Sequence, residues 1–223
     1  MKKSINTENP LLQPPIPPVA DPTVIRQGTT RVPLSPKRLI LDLRRQQSAA
    51  EAVEHLDRDG TAVYGLTKGQ FSLVDLIRAI LEKTGPASLW ISTWTAAGTD
   101  VTTMSELLHS GEIVACRWLV DATFVRRCPS LVATIRDRFG RDSMRVTRTH
   151  AKFAVLENRE WKVALRSSMN LNQNPRLESF EVGHDPALTR FLIDAMLDVW
   201  ERQPRSLQDA THGEQTEWWK RHG

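Results

Sequence analysis

The sequence has little that would hold the chain in a membrane or cross-link it. Its 223 residues include two cysteines and one tyrosine, and no apolar run reaches the roughly 18 residues of a transmembrane helix. The basic start MKKSINTENP is not followed by the apolar stretch of a secretory signal. Cys116 and Cys128 are too few for a disulfide framework, and Cys116 fits a small core position. We therefore expect a cytoplasmic protein without a membrane partner.

Composition divides the chain into three parts. The apolar share of 40% and the charged share of 25% are typical of a globular domain, which is predicted over residues 35–203. Residues 1–34 contain NPLLQPPIPPVADP, which predicts a flexible or polyproline-like arm, either disordered or partner-binding. Residues 204–223 form a polar tail with a Trp218–Trp219 pair, which is either a short docking segment or disordered.

Alternating strand and helix patterns predict the fold class. Helices are expected in SPKRLILDLRRQQSAAEAVEHLDRDG, SLVDLIRAILEKTG, DVTTMSELLHSG, CPSLVATIRDRFG and DPALTRFLIDAMLDVWERQ, the first of them either continuous or interrupted at QQSAA. Strands are expected in TAVYGLT, SLWISTWT, EIVACRWLVD, SMRVTRTHAKFAVLE and WKVALRSS, with the turn NRE joining the last two as a hairpin. Helical crossovers give parallel strands and the hairpin adds an antiparallel pair. The prediction is an α/β domain whose mixed sheet is flanked by helices.

Positive charge is concentrated in one segment. From Arg117 to Lys152 nine lysines and arginines stand against three acidic residues, whereas the whole chain has a net charge of +4. Such a local excess favours a polyanion, and nucleic acid is the expected partner. The alternative is a solvated helix face that carries arginines.

Four polar residues are expected to meet at one end of the predicted hairpin. His150 and Lys152 share a strand face by their spacing, and Ser168 and Asn170 have the same spacing on the partner strand. Their imidazole, ammonium, hydroxyl and amide groups all donate hydrogen bonds to an oxyanion. Taken singly, these residues are more often satisfied edge residues, snorkelling lysines or turn caps. Their combination in one hairpin favours a site.

The same residues carry a resemblance to a known family. The phospholipase D superfamily has the pattern His-x-Lys, four residues, Asp, and later Gly-Ser-x-Asn, and this chain has HAKFAVLE and later SSMN. Four positions match, while Glu157 stands for the Asp and Ser167 for the Gly. The alternation from about Thr61 to Gln203 is similar to one domain of that family. The stretch RSSMNLNQNPRLESFEV also resembles compact members from phage and prophage.

The resemblance implies a metal-independent phosphodiesterase without a cofactor. In such enzymes one histidine attacks phosphorus, a second protonates the leaving oxygen, and Lys, Ser and Asn hold the non-bridging oxygens. Lys152, Ser168 and Asn170 would therefore bind phosphate. His150 would be the nucleophile in one subunit and the general acid in the other, since a single copy of the motif implies a homodimer.

Three acidic residues complete the candidate site. Glu157 has the opposite strand parity from His150, so we expect it to be a structural hydrogen-bonding residue. A carboxylate that orients the imidazole is expected after the motif, and spacing does not choose between Glu178 and Glu181.

Three functions remain open from the sequence. The arginine-rich segment favours a nuclease that acts on DNA or RNA. The altered residues Glu157 and Ser167 support a catalytically inactive module that binds nucleic acid or a protein partner. The third function is the cleavage or transfer of phospholipids.

Overall fold

An eight-stranded mixed sheet organises the chain in the computed structural model, which describes residues 38–41, 48–173, 175–208 and 210–222. The arm predicted over residues 1–34 lies outside this range. The elements are β1 (Arg38–Ile40), α1 (Ala49–Val53), β2 (Ala62–Thr67), α2 (Leu73–Thr84), β3 (Ala87–Thr93), α3 (Gly98–His109), β4 (Ile113–Asp121), α4 (Ala122–Arg127), α5 (Pro129–Phe139), β5 (Met144–Thr147), β6 (Phe153–Glu157), β7 (Lys162–Ser167), β8 (Glu178–His184), α6 (Pro186–Arg202) and α7 (His212–His222).

Strand direction defines one edge of the sheet. The strand order is β1-β2-β8-β7-β6-β3-β4-β5. β6 and β8 run antiparallel to their neighbours, while the other strands share one direction. The shared-direction strands therefore end on the edge where β6 and β8 begin, and we call this the His150 edge. The predicted α/β class with a mixed sheet and flanking helices is confirmed.

The helices bury the two faces of the sheet unequally. One face packs against α1, α2, α3 and α5 in the larger apolar cluster, which includes the fully buried Trp118 and Phe124. The other face packs against α6 in a smaller cluster that includes Phe153 and Met196. Each such side chain stabilises the fold by roughly 1.5–3 kcal/mol relative to an exposed one. None of the helices in the described ranges is long and apolar enough to cross a bilayer.

Two helices begin where their capping residues predict. At α2 the Ser72 hydroxyl accepts from the Asp75 amide at 3.1 Å and the Asp75 carboxylate accepts from the Ser72 amide at 2.8 Å. At α6 the Asp185 carboxylate accepts from the Leu188 amide at 2.9 Å, and Pro186 occupies the first helical turn. These local bonds explain why both helices could be predicted from the sequence.

A continuous helix from Ser35 is wrong, whereas the alternative interruption at QQSAA contains the start of α1. Arg38–Ile40 is a strand that pairs in parallel with β2, and α1 begins only after its N-cap Ser48. The Ser48 hydroxyl accepts from the Glu51 amide at 3.2 Å, so α1 begins at a cap of its own. The strand β8 was also missed, although Phe180 and Val182 alternate with polar residues there.

The single strand expected over SMRVTRTHAKFAVLE is also wrong, because it is two strands. β5 pairs in parallel with β4, whereas β6 pairs antiparallel with β3, on the other side of β4 and β3. Residues 148–152 cross between them, so His150 and Lys152 lie in a loop and not on a strand face. The predicted hairpin of β6 and β7 is confirmed.

The C-terminal helix α7 packs onto the domain. Trp219 on α7 is 1% exposed and belongs to the larger cluster. The Gln203 amide also bonds the backbone of Val146 on the edge strand β5, accepting from its N–H at 3.1 Å and donating to its C=O at 2.5 Å. β5 is the last strand of the sheet, so the Gln203 side chain pairs with backbone groups that a further strand would otherwise bond. Cys116 is buried as expected, and burial raises the pKa of its thiol, which makes it unreactive.

Candidate active site at one edge of the sheet

His150 and Lys152 meet although neither lies on a strand. The Lys152 Nζ lies 3.2 Å from His150 Nδ1 and donates to the His150 carbonyl at 2.9 Å. The lysine side chain thus folds back over the loop and places its ammonium beside the imidazole. His150 is exposed and Lys152 is half-buried. An imidazole and an ammonium at this separation can contact the same anionic group.

Ser168 and Glu178 complete a polar cluster with Lys152. β7 ends and β8 begins at the His150 edge, and the Ser168 hydroxyl donates to Glu178 Oε2 and accepts from the Ser179 amide at 2.9 Å. The Ser167 amide donates to the Lys152 carbonyl at 3.1 Å, which joins this strand end to the His150 loop. Backbone pairing therefore fixes the hydroxyl and the ammonium in the same small region.

The position of Lys152 makes its charged form less stable than in water. Partial burial lowers the pKa of its ammonium, and the nearby Glu178 carboxylate acts in the opposite direction. An ammonium removed from water is stabilised by any further negative group that approaches it. The site is therefore suited to an anion.

The buried Asp121 carboxylate positions the His150 loop. It lies at the end of β4, where Oδ1 accepts from the Thr123 amide at 2.8 Å and caps α4. Its Oδ2 accepts from the Thr149 amide at 3.0 Å, immediately before His150. On the other side of His150, the Ala151 carbonyl accepts from the Ser92 hydroxyl at 3.0 Å. β3 and β4 therefore both hold the loop in place.

Asn170 lies in the segment that follows Ser168. The next residue, Leu171, forms a bridge with Ala96 and accepts from the Ala97 amide at 2.6 Å, so this segment is held beside the chain that leaves β3. The amide oxygen of Asn170 is buried and has no hydrogen-bond partner among the described protein atoms. The structure thus brings Asn170 to the His150 edge without assigning its contacts.

Two predicted acidic residues lie away from the His150 cluster. Glu157 is at the far end of β6, where Lys162 Nζ lies 2.9 Å from its Oε1. Glu181 is paired with Arg166 and, at 2.7 Å, with Arg38. Of the two candidates left open by the sequence, only Glu178 belongs to the cluster, because it acts on Lys152 and Ser168.

The Ser167 side chain is hydrogen-bonded to the backbone on both sides. Its hydroxyl donates to the Ser179 carbonyl at 2.9 Å and accepts from the Met169 amide at 2.9 Å. Its added side chain is thus used in holding β7 to β8. The Ser167 hydroxyl is therefore satisfied by the backbone.

The basic segment does not form one continuous surface. Arg126, Arg127 and Arg148 are exposed near the His150 edge. Arg145 is 4% exposed and packs over Trp200, while Arg117 packs over Trp90. The local charge excess read from the sequence is therefore divided between two regions.

Two cavities in the described part of the chain differ in size and in their distance from His150. A cavity of about 1020 Å³ lies against the N-terminal halves of β3 and β4, away from His150, with Trp90 and Arg117 in its lining. Beside the cluster, Glu178 borders a pocket of only about 10 Å³. In the described ranges no three or more His, Cys, Asp or Glu side chains converge in a way that would hold a metal ion. His150 and Lys152 thus lie on an open surface at the His150 edge and not inside a deep pocket.

Sequence reasoning missed Asp121 and Trp94. Both directly end or follow a strand, and the carboxyl ends of neighbouring parallel strands meet at one edge of a sheet. Finding them required the knowledge that β6 starts at that same edge, which follows from the crossover of residues 148–152. The Trp94 ring centroid lies 5.9 Å from that of His150.

Comparison with known proteins does not assign the chain to a family. No family model matches the chain, and no curated protein matches it. Among solved structures, it is similar to the crystal structure of polyphosphate kinase from Porphyromonas gingivalis, with 13% identity and a TM-score of 0.48. The match covers 77% of this chain and 30% of the kinase chain, so this protein spans less than a third of that relative. The chemistry of the site is therefore inferred from the residues that form it.

The Asp121→Asn variant tests the anchor of the His150 loop. Asparagine keeps one acceptor oxygen for the cap of α4 but places an N–H₂ group against the Thr149 amide. We expect the free energy of unfolding to fall by about 1–3 kcal/mol, with faster hydrogen exchange confined to residues 148–152. Denaturant unfolding and amide exchange measure these effects. An unchanged exchange rate in the loop would contradict the anchoring role.

Proposed function

We propose that the protein is a metal-independent phosphodiesterase of the phospholipase D type, and that it acts as a nuclease. The observation that carries the proposal is the contact of the His150 imidazole with the Lys152 ammonium at 3.2 Å, beside the Ser168 hydroxyl. A nucleophile, a cation and a hydroxyl donor together meet the needs of phosphoryl transfer, which depends mainly on positioning and charge stabilisation.

The reaction proceeds in two steps. A nitrogen of His150 attacks phosphorus, a P–N bond forms, and the P–O bond to the leaving group breaks. A second imidazole gives its proton to the departing oxygen. Water then attacks the phosphohistidine while that second imidazole takes up a proton, which restores both groups. Lys152, Ser168 and Asn170 stabilise the charge on the non-bridging oxygens. Glu178 positions Lys152 and Ser168.

The second imidazole is proposed to come from another copy of the chain. Among the described histidine side chains other than His150, His55 follows α1, His109 lies at the C-terminal end of α3 and His184 lies at the opposite end of β8. None of these three lies in the His150 cluster. A two-fold homodimer would bring two exposed His150 edges together, because an isologous contact pairs each surface with its own copy.

An open site with exposed arginines suits a long polyanion. His150 is exposed at the edge, and Arg126, Arg127 and Arg148 are exposed near it. Such cations bind a sugar–phosphate backbone without reading its sequence. The arrangement supports nucleic acid, DNA or RNA, over a phospholipid.

Cleavage in the presence of EDTA tests this function. Purified wild-type protein and the His150→Ala variant are each incubated with single- and double-stranded DNA and RNA. The mass of the wild-type protein in solution is measured by sedimentation. We expect wild-type cleavage that EDTA does not stop, a loss of at least a hundredfold in His150→Ala because the nucleophile is removed, and a dimer.

Other outcomes would contradict parts of the proposal. Binding of DNA without cleavage by either protein would favour the catalytically inactive module instead. Cleavage by a strictly monomeric protein would contradict the shared site. Turnover of lipid vesicles but not of nucleic acid would favour the phospholipid enzyme.

Glu178→Gln and Glu181→Gln form a matched pair, since both remove one charge from β8 at equal size. Glu178→Gln weakens the hold on Lys152 and Ser168, and hydrogen bonds to charged groups contribute about 1.5–3 kcal/mol. We expect kcat to fall by about 10- to 100-fold. Glu181→Gln should retain activity and instead lower the unfolding temperature, because Arg38 and Arg166 lose their partner. Equal losses of kcat in both variants would contradict the assignment of Glu178.

A further inference from the structure

Trp94 has a position that core packing does not explain. Six of the seven tryptophans belong to one of the two apolar clusters, either buried or packed against them, and Trp94 belongs to neither. It follows directly after β3 at the His150 edge and is half-buried. A large aromatic side chain kept outside the core at a polar site is an informative placement.

The indole has two neighbours at the His150 edge. The Arg127 guanidinium carbon lies over the Trp94 ring, 4.3 Å from its centroid. The Trp94 and His150 ring centroids are 5.9 Å apart, with the ring planes tilted by 57°. Asp121 helps to hold both neighbours, since it caps the helix that carries Arg127 and also accepts from the Thr149 amide beside His150. A planar surface thus lies next to the proposed phosphate site.

We propose that Trp94, with Arg127, is a platform on which a nucleobase stacks, and that the substrate of the His150 site is single-stranded nucleic acid. The inference rests on the proposed function and specifies its substrate. Every base has a face that can stack on an indole or a guanidinium plane, so the platform favours no particular sequence. A phosphate bound at His150 would bring its adjoining nucleoside to the indole.

The geometry favours an unpaired strand. In a duplex each base is already stacked on both sides, so an indole can contact it only after it is unstacked, at a cost. A single strand offers its bases freely. The exposed Arg126, Arg127 and Arg148 then bind the phosphates along the same edge.

A pair of labelled probes tests the platform. One is an oligothymidylate and the other an abasic strand of equal length, so that the phosphates are the same and only the bases differ. Affinities are measured by fluorescence anisotropy in the full chain with His150→Asn, which prevents cleavage. We expect the oligothymidylate to bind about 5- to 150-fold more tightly, which is the range for one stacked base.

Three additional changes assign that preference. Trp94→Ala should abolish it, and Trp94→Phe, which keeps an aromatic face, should retain most of it. The control is Trp161→Ala, since Trp161 also lies under an arginine, with the Arg58 carbon 5.7 Å from its ring, but directly precedes β7 at the opposite edge of the sheet. This control should keep the full preference. A Trp94→Ala variant that weakens both probes equally would overturn the stacking role.

Hydrolysis of the small diester bis(p-nitrophenyl) phosphate separates the two proposals. The probe has no nucleobase and is tested with His150 intact. Hydrolysis that needs His150, together with equal binding of the two strands, would overturn the platform and leave the proposed function standing. A base preference that depends on Trp94 supports the platform even if no diester is cleaved, in which case the proposed function fails. Tighter binding of duplex than of single strands would overturn the choice of substrate.

Discussion

The crossover from β5 to β6 is the constraint on which the candidate site depends, because the chain has few residues with which to make it. β5 lies beyond β4, and β6 lies on the far side of β3, so the crossover spans three strand spacings, or roughly 14 Å at about 4.8 Å each. Six residue steps, from Thr147 to Phe153, reach at most about 20 Å when fully extended. The loop therefore lies close across the ends of β4 and β3, and His150 is at its middle.

That crossing determines which groups surround the His150 loop. Asp121 at the end of β4 accepts from the Thr149 amide, Ser92 on β3 donates to the Ala151 carbonyl, and Trp94 lies beside the imidazole. The end of β7 joins the loop through the Ser167 amide, which donates to the Lys152 carbonyl. A carboxylate with three accepted hydrogen bonds is satisfied and remains structural. The Lys152 ammonium, by contrast, has its pKa lowered by burial and gains most from a further anion. The edge thus separates a structural negative charge from a positive charge available to a ligand.

The sequence predicted the members of this cluster better than their setting. His150 and Lys152 were expected together on a strand face, and they are together in a loop, because a folded-back lysine replaces strand parity. The hairpin of β6 and β7 was predicted correctly, and it brings Ser168 near Lys152. Asp121 and Trp94 were not predicted, since their role depends on which strands lie beneath the crossover. The choice of Glu178 over Glu181 likewise required the pairing of Glu181 with Arg38 and Arg166.

The central claim is that His150 forms a covalent bond to phosphorus, and trapping that bond tests it most directly. The protein is mixed with an end-labelled single strand, quenched in alkali, in which a P–N bond to histidine survives, and digested for mass spectrometry. The account predicts a nucleotide adduct on the peptide that contains His150, which mild acid removes. Strand cleavage with no adduct during turnover, or with an adduct on another residue, would contradict it.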